Sequence, residues 1–170
     1  YFQWNVDKSM ELRHNGALYT VSPWALSWDD ENYYLIAYDS TKGIIKHFRV
    51  DKMLHITQTG RPREGRQVFK AFDTAIYAKK MFGMYGGEEI SVRIECDNSF
   101  AGVMIDRFGK DVSIIRIDDK RFAVNVEVAV SKQFIAWIIG LGEGVKIVSP
   151  SSVVKMMNDE IDRLIRQYKQ

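Results

Sequence analysis

Lys46, His47, Arg49 and Lys52 crowd into the stretch "IIKHFRVDK", directly after the aromatic run "NYYLIAYD". Cations next to rings suit an anionic ligand that carries flat groups of its own, since bases stack on aromatic side chains while Lys and Arg hold phosphates. Strand alternation sends Phe48 and Val50 to one face and His47 and Arg49 to the other, with Lys46 and Lys52 near the strand ends. The preceding strand offers Tyr34, Ile36 and Tyr38 on one side and Tyr33, Leu35 and Ala37 on the other. Both of its faces are apolar, so one of them can cover something besides its own core. The candidate ligand-binding residues are Arg49, His47, Lys52, Lys46, Tyr34 and Trp24. A plainer reading stands beside this one: the rings pack in a core, and Arg49 pairs with Asp51 or Asp39 in a surface ion pair worth at most about 1 kcal/mol.

Charge is distributed unevenly along the chain. Residues 1–40 hold two basic residues against six acidic ones, net −4, whereas residues 41–70 hold eight basic residues against Asp51 and Glu64, net +6. A basic segment of this kind in an otherwise balanced chain is an anion or nucleic-acid footprint, or else a solvated face. Arg61, Arg63 and Arg66 sit in the part that reads as loop, where solvation is the simpler role.

Catalysis finds little support in the residues. There are three histidines, His14, His47 and His55, but no nucleophile elbow, HExxH helix or phosphate-cradling glycine loop. The paired acids Glu88-Glu89 and Asp118-Asp119 fall at turns. The single cysteine, Cys96, cannot close an internal disulfide, and no Cys/His cluster has metal-ligand spacing. The expectation is a non-enzymatic protein without metal or cofactor, placed in a reducing cytoplasm. No apolar run approaches the roughly 20 residues that span a bilayer.

The elements that must position these residues fall into two groups. At 170 residues and 46% hydrophobic content the chain can form one ordinary domain or two small ones. Strands are predicted over residues 1–8 and 18–28 on either side of "SMELRHNGA", whose Asn15-Gly16 is a turn signal. Tyr33 to Asp39 follows after the polar loop Asp29-Asp30-Glu31-Asn32, and the basic strand follows the turn that ends at Gly43. So short a meander closes most easily as a strongly bent sheet or barrel. "YFQWNV" alternates from its first residue, so upstream residues are expected. "TGRPREGRQ" reads as a connecting loop, and residues 68–87 as a linking helix of three or four turns that stops at Gly83 or Gly86-Gly87.

From Glu88 onwards the pattern is strand, helix, strand, strand, helix, strand, helix. "EISVRIEC" alternates, "NSFAGVMIDRFG" starts at an Asn98 or Ser99 cap, Asp118-Asp119-Lys120 turns a hairpin, and Ser131 caps "SKQFIAWIIGLG". Ser149-Pro150 opens a last helix with Val153, Met157, Ile161, Leu164 and Tyr168 on one stripe. This order is ferredoxin-like, βαββαβ. The predicted domains are residues 1–60, a linker and helix over 61–87, and 88–170, in an α+β chain.

At "VSPWAL", "NYYLIAYD" and "HFRVDKM" the sequence resembles the WYL-domain family, whose Trp-Tyr-Leu triplet stands here as Tyr33-Tyr34-Leu35. Pro23 and the strand Phe48-Arg49-Val50-Asp51-Lys52 belong to the same resemblance. "FGMYGGEEISVRIECD", "IDRFGKDVSI" and "FIAWIIGLGEGVKIVSP" are similar to the extension that follows many WYL domains. Two positions depart from the pattern: Tyr33 replaces the Trp, and Lys52 replaces a second Arg, keeping charge but losing two-pronged hydrogen bonding. The resemblance implies an Sm-like small β-barrel that senses a ligand in a bacterial transcription regulator, behind a winged helix-turn-helix DNA-binding domain that is missing from this chain. It also implies a single-stranded nucleic acid or nucleotide as the ligand. The alternatives are a sensor of a small non-nucleotide effector, or mainly an oligomerisation module in which the last helix forms a homodimer.

Overall fold

The computed structural model describes residues 1–70, 72–84 and 88–169. The chain divides into two compact units, Tyr1–Ala78 and Lys79–Gln170. Strands dominate the first unit and strands and helices the second, within an α+β chain as expected.

In the first unit, β1 (Phe2–Trp4) pairs antiparallel with β2 (Met10–Leu12) as a two-stranded ribbon. The strand β2 lies inside the stretch that the Asn15-Gly16 signal marked as turn. The left-handed residues actually fall later, at His14, Asn15 and Gly16, and leave Met10–Leu12 free to pair. Next come β3 (Ser22–Asp29), β4 (Asn32–Asp39) and β5 (Ile44–Arg49), an antiparallel meander in the order β3-β4-β5. The short antiparallel strands expected to form a bent sheet or barrel are thus arranged as a ribbon and a three-stranded sheet. Ile36 and Ala37 are fully buried at its centre, and Phe48 anchors the ribbon side through edge-on contacts with Tyr1 and Tyr19 at 5.7 and 5.5 Å.

The linking helix is shorter than its periodicity suggested. Among its described residues only α1 (Thr74–Lys80), seven residues, is helical, because residues 66–70 turn instead, with Val68 and Phe69 N–H groups both donating to the Gly65 carbonyl. The proposed stop at Gly86-Gly87 and the side chain of Ile76 lie outside the described residues.

The second unit holds β6 (Glu89–Asp97), α2 (Ala101–Phe108), β7 (Ile114–Arg116), β8 (Arg121–Ala129), α3 (Lys132–Leu141), β9 (Val145–Ser149) and α4 (Ser151–Tyr168). Its sheet is fully antiparallel in the order β7-β8-β6-β9, which in the unit's own strand numbers is 2-3-1-4, the ferredoxin-like arrangement. Register explains the core. Val92, Ile94 and Cys96 of β6 stand opposite Val126, Val124 and Phe122 of β8, so alternation puts all six on one face. Met104, Phe134, Ile135, Ile138 and Val153 from the helices bury that face, while Ser91, Arg93, Glu95, Asn125 and Glu127 line the other. Ser131 caps α3 as expected, its Oγ accepting from the Phe134 N–H at 3.3 Å. The start of α2 differs: Asn98 donates its side-chain amide to the Asp119 carbonyl at 2.9 Å rather than capping, and a 3-10 turn, Asn98–Phe100, leads into the helix.

Candidate functional site

Cross-strand register decides which of the candidate residues meet. Tyr34 pairs with Arg49 and with Ser27, and Ile36 pairs with His47, so Tyr34, His47 and Arg49 share one face of the β3-β4-β5 sheet. Lys46 pairs with Ala37 and points to the opposite face, where its Nζ donates to Asp39 Oδ2 at 2.5 Å. The structure therefore brings Arg49, His47 and Tyr34 together and places Lys46 apart from them. Lys52 lies beyond the strand, in the 3-10 turn Val50–Lys52.

Arg49 is held in a fork. Its Nε and Nη2 donate to Asp51 Oδ1 and Oδ2 at 3.1 and 2.9 Å, and its backbone N–H donates to the Tyr1 hydroxyl at 3.1 Å. The Asp51 carboxylate raises the Arg49 pKa, and the guanidinium in return holds the Asp51 carboxyl below its ordinary value. About a third of the Arg49 side chain is exposed. Partial burial pushes the Tyr34 phenol up, and the Arg49 charge pulls it part of the way back.

Lys46, on β5, ties back to the turn that the sequence placed before Gly43. Asp39 accepts from the Thr41 N–H and Oγ1, from the Lys42 N–H and from Lys46, while Gly43 N–H donates to its carbonyl at 2.8 Å. These donors, led by Lys46 and Thr41, lower the Asp39 carboxyl to about 2. The pair closes the β4–β5 hairpin.

Trp24 is the extra residue at a bulge between Pro23 and Ala25 of β3. It meets a segment that the sequence marked as a connecting loop running into the linking helix. Its Nε1 donates to the Glu64 carbonyl at 2.7 Å, the Phe69 ring stacks on it at 5.0 Å with an 8° interplanar angle, and the Arg63 guanidinium lies over it at 4.4 Å. From Phe69 the rings continue to Phe72 at 4.7 Å and on to Tyr77 at 4.7 Å, and the Tyr77 hydroxyl lies 3.0 Å from His47 Nε2. Gly65 rests on Tyr38, since a Cβ there would fall 2.5 Å from the ring. The Trp24 and His47 end of the face is thus covered by the segment that follows the sheet. One signal could have shown it: Phe69, Phe72 and Tyr77 place three large rings within nine residues, more apolar surface than a solvated linker needs to carry.

Among the described residues no group of His, Cys, Asp and Glu is arranged to hold a metal ion, and no helix is long and apolar enough to cross a membrane.

The fold and the site together describe a small β-unit with a basic, ring-lined face, followed by a ferredoxin-like unit. The comparisons with known proteins give this arrangement a family. A WYL domain is matched over residues 9–58 and a WCX domain over residues 88–165. The chain belongs to the WYL-domain family, with its WYL domain followed by a WCX domain. No curated protein matches the chain. Among solved structures it is similar to the proteasome accessory factor B/C (PafBC) of Arthrobacter aurescens, at 21% identity and a TM-score of 0.43. That match covers 88% of this chain and 22% of the other, so the chain spans about a fifth of that protein's length.

Proposed function

We propose that the chain is the ligand-sensing and dimerisation portion of a bacterial transcription regulator. In this reading the face carrying Tyr34, His47 and Arg49 binds single-stranded nucleic acid or a nucleotide, and ligand binding controls a winged helix-turn-helix domain outside this chain. The WYL and WCX matches support the regulatory role. The observation that carries the ligand class is the direct opposition of Tyr34 and Arg49 on one sheet face, Arg49 lying in the stretch 41–70 of net +6 charge. A ring accepts a base and the adjacent guanidinium a phosphate. Asp51 does not cancel this role. An exposed ion pair is worth at most about 1 kcal/mol, and a phosphate can compete for the same fork. Lys52 adds charge nearby from the 3-10 turn after β5, and Lys46 contributes through the hairpin.

The test is a titration of a labelled single-stranded oligonucleotide at several salt concentrations. Binding is expected at low salt, with affinity falling as salt rises. Arg49→Ala should weaken it about tenfold and reduce the number of released counterions by about one. Absence of binding at low salt, or affinity indifferent to Arg49→Ala, removes the proposal.

Dimerisation has its own observation. Val153 of α4 is fully buried, whereas Ile161, Ile165 and Tyr168 further along the helix are exposed. A second copy of the chain is the occupant proposed for this stripe.

A further inference from the structure

The ring surface of Trp24 is already occupied by the protein itself. The Phe69 ring lies parallel to the indole at 5.0 Å and the Arg63 guanidinium sits over it at 4.4 Å, so both take up ring surface on which a base could stack. Ring and cation are also the two chemistries that a nucleotide-binding face offers and that a nucleotide answers. Polar bonds fix the segment in register. Glu64 N–H donates to Ser22 Oγ at 2.8 Å, the Glu64 carbonyl accepts from Trp24 Nε1 at 2.7 Å, and Arg63 Nη1 donates to the Pro23 carbonyl at 3.3 Å. At its far end Tyr77 engages His47, which stands on the sheet face beside Arg49.

We propose that the segment bearing Arg63, Phe69, Phe72 and Tyr77, which packs on Trp24 and His47, is an intramolecular competitor for the ligand and is displaced when a base stacks on Trp24. This rests on the nucleic-acid reading above and adds a mechanism to it. Three properties suit a displaceable cover. Its contacts are ring stacking and single hydrogen bonds, each individually weak. Arg61, Arg63 and Arg66, together with Lys70, make it basic, so it gains phosphate contacts on leaving the ring. And Tyr77 lies on α1, the helix in which the first unit ends and the second begins, so a change at His47 reaches the start of the WCX-bearing unit along the chain itself.

The experiment uses the full chain and a fluorescein-labelled oligothymidylate of about 12 nucleotides. Hydrogen exchange is followed at the Val68, Phe69, Phe72 and Tyr77 amides, whose N–H groups are bonded to the carbonyls of Gly65, Gly65, Phe69 and Asp73. Addition of the oligonucleotide should lower the protection of these amides. Phe69→Ala should bind the oligonucleotide about three- to tenfold more tightly, because the stacked pair no longer has to be broken. Tyr77→Phe, which loses only a hydroxyl and keeps the ring packing, should also bind more tightly, and it serves if Phe69→Ala fails to fold. Binding that is abolished by Arg49→Ala, yet leaves the four amides protected and the affinity of Tyr77→Phe unchanged or weaker, overturns the competitor alone. No binding by any variant at low salt overturns it together with the nucleic-acid reading.

Discussion

Tyr34 and Arg49 stand directly opposite one another on β4 and β5, on the face shared with His47. Strand neighbours at this spacing hold their Cβ atoms about 5 Å apart, so a ring and a guanidinium are presented side by side without either having to be recruited from a loop. Partial burial raises the Tyr34 pKa and leaves the phenol neutral, which keeps the ring a neutral stacking surface beside the charge. If Tyr34 stacks with a base, Tyr34→Phe should retain oligonucleotide affinity and Tyr34→Ala should lose about 1 to 3 kcal/mol. Fluorescence anisotropy on the two variants separates stacking from a role for the hydroxyl. Equal loss in both variants removes the stacking role.

Asp39 supplies a pH signature for the hairpin rather than for the ligand. Its carboxyl titrates near 2 in the folded chain instead of near 3.8, chiefly because Lys46 and Thr41 donate to the ionised form. A depressed folded value favours the folded state above the ordinary value, and that stabilisation is lost as pH falls from about 3.8 through about 2. Urea denaturation at pH 2 to 5 should therefore show a decline in stability that Asp39→Asn flattens. At pH 7 the same variant should be less stable than the wild type, and Lys46→Met should reproduce part of the loss. If instead Lys46 is a ligand contact, Lys46→Met will weaken oligonucleotide binding as much as Arg49→Ala does.

The second unit was legible in the sequence to a degree that the first was not. Ile90, Val92 and Ile94, and then Phe122, Val124, Val126 and Val128, alternate cleanly because each strand has one buried and one polar face, and the ferredoxin-like order follows from the sequence of elements. Ser131 could be read as a cap because its side chain does cap, while Asn98 could not be read correctly because Asp119, distant in sequence, competes for it. In the first unit the pairing of Tyr34 with Arg49 follows from alternation once the register is known, but that register is set by the Asp39–Gly43 turn, which periodicity does not report. The cover over Trp24 was hidden for a related reason. Gly, Pro and charge in residues 59–67 resemble a solvated loop, and the rings at Phe69, Phe72 and Tyr77 were absorbed into a helix longer than the seven residues that form.

Cys96 offers a direct readout of the second unit's integrity. It lies on β6 between Glu95 and Asp97, almost wholly buried, and burial with help from those two carboxylates pushes its thiol up to about 11. Since the thiolate is the reactive form, the folded protein at pH 7.5 should resist maleimide while the urea-unfolded chain labels rapidly. Labelling rates measured by mass spectrometry across a urea series should then track unfolding of the ferredoxin-like sheet. Rapid labelling without denaturant would mean that this core opens far more readily than its packing implies.

The last helix argues for a partner through its length. α4 has 18 residues, about 27 Å, whereas β9, the strand it packs beside, has five, about 16 Å. The apolar stripe runs the whole way, so Val153 finds cover from its own unit and Ile161, Ile165 and Tyr168 do not. Exposed apolar residues in a continuous row are unfavourable in a lone chain and are relieved when a second copy covers them. Light scattering of the wild type is expected to give the mass of a dimer. The double variant Ile161→Glu, Leu164→Glu should give half that mass with an unchanged far-ultraviolet circular dichroism spectrum, because the polar change falls beyond the turns that pack in the core. A monomer for both proteins removes the interface, and a double variant that unfolds would show that the stripe packs on its own sheet instead.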